Sequence, residues 1–553
     1  MQFTLVEIPR LLPELLLLVL AVLVLGSDIF ERWASNEEAQ IERNRSAGSL
    51  TSIGLVLIFG IALLQSGYVY LLPADAPTNP LTNIVRNLQA GGPYAGELLG
   101  VPITPILGAF HSDHLTMIAR LTFILAAFVT STIAYETLKI RNPGEFYALL
   151  LASTVGMCLM AGATELILAF IAIELTSIPL YILAGYFRDD KRSSEAGMKY
   201  FLFGALSSCI MLYGMSLVFG FSANAGSNGP NSGFMTQFRS IAESTEVASN
   251  TTLLVVGMIF MIVGLGYKLA VVPFHAWAPD VYQGAPTVVT GFISTASKMA
   301  GFLLLLRLLE VAFPSLVGSV ALSYSGLPAV EAPVGGWSAL LALIALLTLV
   351  FGNLAALPQT NAKRLLSYSS IGQAGFILLG VFAWSAINPL DQAIANTSLI
   401  YYLVVYLISN IVAFAIICLV EQQSGSDEIS AFNGLAQRNL PLAALMTISV
   451  LSLAGIPPLA GFFAKFYIFL AAWQAGAWPI VLAAVLVSFI SLYYYLRFLK
   501  AMFIEAPEQS ERLTVPGTAL ATIAVVSLLV LALGIYPNLL LELVNHTQVI
   551  ASN

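Results

Sequence analysis

The chain is expected to be an all-α polytopic membrane protein of about fourteen transmembrane helices, the number of apolar runs of spanning length. Three observations predict it. Of its 553 residues 58% are apolar and 10% are charged, against about 25% charged in soluble domains. The apolar residues come in repeated runs of about 20, the length that crosses a hydrocarbon core of about 30 Å. Those runs are uniformly apolar, without the alternation of membrane-barrel strands.

In chain order the spans fall near 11–27, 51–72, 116–136, 145–161, 163–187, 197–221, 252–274 and 287–311. They continue near 337–357, 366–386, 394–420, 440–471, 477–503 and 517–540. The first run has no cationic segment ahead of it and no small-residue cleavage site, so it reads as a permanent helix and not a signal peptide. The longer polar connections are 28–50, 73–115, 222–250 and 312–336; the third opens with SANAGSNGPNSG and reads as a solvated loop.

Lysine and arginine in the loops set the orientation. One side carries Arg32, Arg43, Arg45, Lys139, Arg141, Arg188, Lys191, Arg192, Lys363, Arg364, Arg438, Lys500 and Arg512; the other carries Arg10, Arg86 and Arg239. The rich side is expected to be cytoplasmic, which puts both termini on the non-cytoplasmic side.

Two spans are interrupted, the seventh around Pro273 and the twelfth at Gly455-Ile456-Pro457-Pro458. Each is fourth in a group of five spans, and the groups start from opposite sides of the membrane. This predicts two inverted repeats, 141–311 and 337–504, preceded by a three-helix segment (1–140) and followed by a C-terminal helix and tail (505–553). Interrupted helices at matching places in two halves point to a transport site.

The charges inside the spans carry the functional signal, because each costs about 2.5–3.5 kcal/mol or more at a bilayer centre. Glu174 lies near the middle of the fifth span, in FIAIELTSIPLYILAGY; it either fixes helix packing or tunes a relay lysine. Lys268, in GLGYKLAVVPF, sits between close-packing glycines and the Pro273 break. Lys298, in ISTASKMAGF, is as far as a residue can be from either interface, so snorkelling explains it least. Lys465 follows the second break by about two turns and reads as the exit-side carrier, or else as a helix-end anchor. Lys199 sits near an interface and is ambiguous between relay and surface roles. Arg307 and Glu310, at i,i+3, read as a surface pair. Arg120 in the third span is isolated.

His111 and His114 flank Asp113 in a loop; two histidines and one aspartate without a fourth ligand favour a capping role over a metal site. His275 is placed at the cytoplasmic end of the seventh span. Ser367, Tyr368, Ser369, Ser370 and Gln373 on the tenth span, with Tyr401, Tyr402, Tyr406 and Asn410 on the eleventh, could carry water between Lys298 and Lys465 or serve as interhelical hydrogen-bond glue.

Cys158, Cys209 and Cys418 are too few for an iron–sulfur cluster, which takes four thiolates. The chain shows no nucleotide-binding glycine motif, haem ligand pair or flavin motif, and no basic stripe for nucleic acid. No cofactor is expected in it. A row of titratable groups with hydroxyls between them fits proton translocation, with energy from an ion gradient or a partner.

The run from Lys268 to Lys298, with PFHAWAPDVYQGAP between them, resembles the antiporter-like N subunits of proton-pumping NADH:quinone oxidoreductase (complex I, NDH-1). So do ELTSIPLYILAGY followed by RSSEAGMKYFLFGALSS, AKRLLSYSSIGQAGF and GIPPLAGFFAKFYIF, over about residues 140–500 and in the family's order. The resemblance implies fourteen helices, inverted five-helix repeats and an antiporter-like channel in a membrane arm. By position Glu174, Lys268, Lys298 and Lys465 match the family's fifth-, seventh-, eighth- and twelfth-helix charges. The twelfth-helix lysine separates the chain from M subunits, which have glutamate there, and no lateral helix follows residue 540 as in L subunits. The 73–115 and 222–250 loops are longer than the family leads one to expect.

The implied partners are the antiporter-like M and small K/J-type subunits, and indirectly the peripheral arm. NADH, FMN, iron–sulfur clusters and quinone would be held by partner subunits, and the bacterial plasma (inner) membrane is the implied location. The implied mechanism opens or closes a Glu174–Lys268 pair and moves a proton through Lys298 to Lys465. The alternatives are an Mrp-type or stand-alone cation/proton antiporter, the equivalent subunit of a ferredoxin-driven relative, and a purely structural arm segment.

Overall fold

The computed structural model describes residues 9–31, 37–67, 80–89, 106, 108–225, 235–247, 251–318, 336–385, 389–507 and 511–545. Arg32 and large parts of the four long connections lie outside them. The described residues form helices and no strand beyond isolated bridges. Thirteen helices are long and apolar enough to cross a membrane. A shorter apolar helix, Leu440–Ala454, ends at the second break.

The helices are α1 (Leu12–Glu31), α2 (Glu37–Ser66), the short α3 (Pro80–Gln89), α4 (His114–Thr137), α5 (Pro143–Gly162), α6 (Leu166–Ala184) and α7 (Lys191–Ala225). After the short α8 (Phe238–Val247) come α9 (Thr252–Leu269), α10 (Trp277–Gly284) and α11 (Thr287–Ala312). The second half comprises α12 (Trp337–Ala356), α13 (Ala362–Trp384), α14 (Pro389–Ser424), α15 (Leu440–Ala454), α16 (Ala460–Gln474), α17 (Trp478–Phe503), α18 (Gly517–Ile535) and α19 (Asn538–Asn545). The loop expected at 222–250 thus contains a docked helix: Phe238 and Ile241 of α8 are fully buried, the apolar side of an amphipathic turn pattern.

The two breaks share one local geometry. α9 ends at Ala270 and α15 at Gly455, both left-handed (φ 53° and 84°). In each, the amide of the left-handed residue and the next amide bond back to the last turn: Ala270 to Gly266 and Tyr267, Val271 to Gly266; Gly455 to Leu451 and Ser452, Ile456 to Leu451. A cis X-Pro bond follows in both, Val272–Pro273 and Pro457–Pro458. α10 and α16 then resume the two interrupted spans.

α11 from Thr287 to Glu310 and α14 from Ser398 to Val420 are buried at every residue, so they form the centre of the bundle. Two π-helical turns, Ile293–Ser297 and Leu308–Ala312, bracket the α-helical part of α11. Around the rim, α1, α2, α6, α7 and α17 turn side chains such as Val22, Leu57, Ile171, Leu202 and Phe489 outward. Lipid tails are as apolar as these side chains, so such exposure carries no penalty in a bilayer. Small residues let neighbours close in: a Cβ on Gly352 of α12 would stand 2.5 Å from the Gly372 nitrogen of α13.

Candidate functional site

Lys298 follows the first π-turn of α11 directly and is 1% exposed. Its ammonium donates to Ser370 Oγ at 2.6 Å and to the Ser370 carbonyl at 3.0 Å, both on α13. The Tyr406 hydroxyl of α14 lies 2.8 Å from Ser370 Oγ and from the Ser294 carbonyl. Asn410, one turn further along α14, donates to Ser294 Oγ at 3.1 Å. Every acceptor around this lysine is neutral.

Lys465, on α16, donates to the Ala454 carbonyl and to Ser488 Oγ, each at 3.0 Å. Ala454 is the last residue of α15, and a helix end leaves its last carbonyls without intrahelical partners. The break therefore makes the lysine's acceptor. Its ammonium also stands 4.8 Å from the centre of the Phe376 ring, a cation–π arrangement.

Between the two lysines lies a cavity of ≈ 10 Å³ lined by Gln373, Tyr402, Tyr406, Ser452 and Lys465 among others, room for about one water. Gln373 accepts the Tyr402 hydroxyl and donates to the Leu453 carbonyl (3.1 Å) and Tyr495 (3.2 Å). Of the hydroxyls expected there, Tyr402 and Tyr406 line this cavity, whereas Tyr401 donates to the Leu533 carbonyl and Ser369 bonds to Tyr495.

Lys268, in the last turn of α9, is 6% exposed and donates to Ser177 Oγ at 2.7 Å. Glu174, one turn before Ser177 on α6, accepts the Ser208 hydroxyl of α7 instead. The Glu174 carboxylate and Lys268 are near enough to act on one another through space, but each is bonded to a serine. Glu174 is half-buried, on the side of α6 from which Ile171 and Ile178 face outward. Lys199 stands apart: at the end of the bundle it pairs with Asp280 of α10 (2.7 Å) and Glu195 (2.8 Å), and its side chain is 35% exposed. Asp280 also holds Arg364 of α13, at 2.9 Å.

Three other expectations are corrected or completed. Arg307 and Glu310 are not a surface pair: both are buried, and the Arg307 guanidinium grips both oxygens of Asp113 at 2.6 Å. Asp113 also caps α4 through the Thr116 amide at 2.8 Å. Arg120 is not isolated, because Glu14 of α1 meets it at 2.6 and 2.9 Å. Glu14 was overlooked; the available signal was an acid inside the first apolar run. His275 lies in the break between α9 and α10, its ring 4.4 Å from that of Phe351. Among the described residues no His/Cys/Asp/Glu cluster is arranged to hold a metal.

Comparison with known proteins gives a consistent picture. The family model described as NADH:quinone oxidoreductase/Mrp antiporter, TM, matches twice, over residues 163–330 and 315–491. The chain is 51% identical to NADH-quinone oxidoreductase subunit N 1 of Roseiflexus castenholzii, covering 100% of both. It is 41% identical to NADH-quinone oxidoreductase subunit N of Moorella thermoacetica, over 78% of this chain and 84% of that one. Among solved structures it resembles a chain of respiratory complex I from Thermus thermophilus with bound aureothin, with 30% identity, a TM-score of 0.67 and coverage of 95% and 98%. A chain of the Mrp complex from Dietzia sp. shares the fold at 20% identity, with a TM-score of 0.71 and coverage of 97% and 96%.

Proposed function

The chain belongs to the NADH:quinone oxidoreductase/Mrp antiporter family of transmembrane subunits, and from that premise we propose that it moves protons through its buried lysines. It does so as the N-type membrane-arm subunit of an NADH:quinone oxidoreductase. Electron transfer from NADH through FMN and iron–sulfur clusters to quinone takes place in partner subunits. Full-length identity of 51% to a subunit N, against 20% to the Mrp chain, favours this over an Mrp-type antiporter.

One observation carries the reading: Lys298, Ser370, Tyr406, a water-sized cavity and Lys465 form a continuous polar line through the most buried part of the bundle. A proton leaving Lys298 has hydroxyls to receive it, and the line ends at the carbonyl opened by the second break. At the other end, Lys268 and Glu174 each rest on a serine. Closing them into an ion pair gives up two charge-assisted hydrogen bonds, about 1.5–3 kcal/mol each. It gains about 4 kcal/mol of attraction at 4 Å and an effective dielectric constant of about 20. The two arrangements are close in energy, which suits a switch driven from a neighbouring subunit.

Glu174 also supports the choice of partners. A carboxylate half-open on a lipid-facing helix side is costly at mid-membrane, so another membrane subunit covers α6 and α7 there. The small K/J-type subunits fit that place, with the antiporter-like M subunit elsewhere along the arm. The shared break geometry supports repeats at 141–311 and 337–504, between the 1–140 and 505–553 segments. The charge bias makes the lysine- and arginine-rich face cytoplasmic, in a bacterial plasma membrane, with both termini on the opposite side.

The test is Lys298→Met in the assembled complex, in inside-out membrane vesicles oxidising NADH with quinone. Proton translocation per NADH oxidised should fall. Unchanged translocation would sink the relay.

A further inference from the structure

On the lysine- and arginine-rich face a cavity of ≈ 320 Å³ opens between the loop after α6, the α10–α11 turn and the ends of α13 and α14. Lys363, Glu421, Asp427, Thr287 and Arg192 are among its lining side chains. Inside it Lys363 pairs with Glu421 at 3.0 Å and with Asp427 at 3.4 Å, and Glu421 accepts the Thr287 hydroxyl. The cavity has room for several waters at about 30 Å³ each, and its groups are charged.

Lys363 begins a stripe on α13. One turn further stands Ser367, and one turn beyond that Ser370, the acceptor of the Lys298 ammonium. Seven residues of helix place the lining residue Lys363 about 10.5 Å along the axis from Ser370. The single group between them on this stripe is unusual. Ser367 is fully buried and its hydroxyl has no hydrogen-bond partner. On the facing α10, Tyr282 is also fully buried, and its hydroxyl near Ser370 likewise makes no hydrogen bond that meets normal geometry. Buried hydroxyls are bonded in the large majority of cases, to protein or to ordered water. Leaving two unmade at one depth costs about 1–3 kcal/mol each. Where no protein group supplies the partner of a buried hydroxyl, ordered water does.

We propose that this cavity is the proton intake of the chain, and that water held by Ser367 and Tyr282 links it to Ser370 and Lys298. The inference rests on the relay reading and names the residues that load it. Ser367 and Tyr282 act as positioning residues, holding the water that hands the proton to Ser370. The Lys363–Glu421–Asp427 group keeps the mouth charged and wet, and with Asp190 and Arg192 the lining has three carboxylates to two cations, which favours hydronium.

The test uses the assembled complex in inside-out vesicles, which present the proposed intake face to the medium. Ser367→Val removes the hydroxyl at the volume of threonine; Tyr282→Phe removes the other hydroxyl without changing shape. Either should lower proton translocation per NADH to the level of Lys298→Met, and Ser367→Thr, which keeps the hydroxyl, should restore it. Separately, Ser367→Cys should react with a small membrane-impermeant cationic methanethiosulfonate about tenfold faster from this face than from the other, since local opening sets access. Normal pumping by both Ser367→Val and Tyr282→Phe, or labelling equal from the two sides, would overturn the intake. If these variants pump normally while Lys298→Met does not, the intake falls and the relay stands. If Lys298→Met itself pumps normally, the relay falls, and the sided labelling still decides the water path.

Discussion

Asp113→Asn tests whether the N-terminal helices are fastened to the transport core by charge. Asp113 is 6% exposed and Arg307 3%; the guanidinium reaches both carboxylate oxygens at 2.6 Å, Thr116 Oγ at 3.0 Å and the Ala161 carbonyl. Removing one partner of such a pair strands the other, at about 3–5 kcal/mol. The asparagine oxygen can still cap α4, so the further loss of about 1 kcal/mol expected for alanine at a cap is avoided. At about 1.4 kcal/mol per factor of ten, opening at the start of α4 should become roughly 10²–10⁴ times more frequent. Hydrogen exchange of the Thr116 amide in the detergent-extracted complex measures this directly. Exchange within about threefold of the parent, a change of under 1 kcal/mol, would refute the assignment.

The same pair has a pH signature. Burial alone would raise the Asp113 pKa, but the Arg307 guanidinium, with His111 beside it, holds it well below the usual carboxylate range. A group whose folded pKa is depressed contributes stability that is complete above its unfolded value of about 3.9 and is lost as pH falls through the folded value. The difference in exchange between parent and Asp113→Asn should therefore stay constant from neutrality down to about pH 5, and shrink only in stronger acid.

Two further outcomes follow from geometry. In Gly352→Ala the new methyl meets the Gly372 backbone at 2.5 Å and should cost about 1–3 kcal/mol, whereas Gly220→Ala meets nothing within 4 Å and should gain about 0.5–1 kcal/mol; thermal midpoints of the extracted complex compare them. Lys199→Met removes a partly exposed pair worth about 1 kcal/mol or less and leaves Asp280 with Arg364, so pumping per NADH should be unchanged; a loss would bring Lys199 into the relay.

Much of this was legible in the sequence because each signal was local. A run of twenty apolar residues, a lysine at its middle and a proline after a glycine are read within one helix. Lys268, Lys298 and Lys465 are buried where their runs placed them, and the breaks at Pro273 and Pro457-Pro458 are real. What failed needed contacts between distant helices. Arg307 and Glu310 look like an i,i+3 pair until α4 and α5 close over them. Asp113 is 194 residues from its partner Arg307, and Glu14 is 106 from Arg120. Nothing in either local sequence marks the match. For the Glu174–Lys268 pair, expected to open or close, the structure holds one arrangement: Ser177 stands one turn from Glu174, and the lysine rests on its hydroxyl.

The two kinds of buried cation are used differently. Arg120 and Arg307 are held by carboxylates, Glu14 and Asp113, at 2.6 Å. Lys268, Lys298 and Lys465 rest on serine hydroxyls and backbone carbonyls. Arginine stays charged at any pH a protein meets, so at these two deep sites an anion matches it permanently. Such a pair fastens helices and cannot take part in transfer. A lysine bound to neutral oxygens can give up its proton without stranding a buried carboxylate, which would otherwise cost several kcal/mol. Glu174, the carboxylate beside Lys268, accepts the Ser208 hydroxyl while the lysine rests on Ser177. If the proposed relay holds, the choice of partner, more than depth in the membrane, separates the cations that fasten this bundle from the lysines that carry the proton.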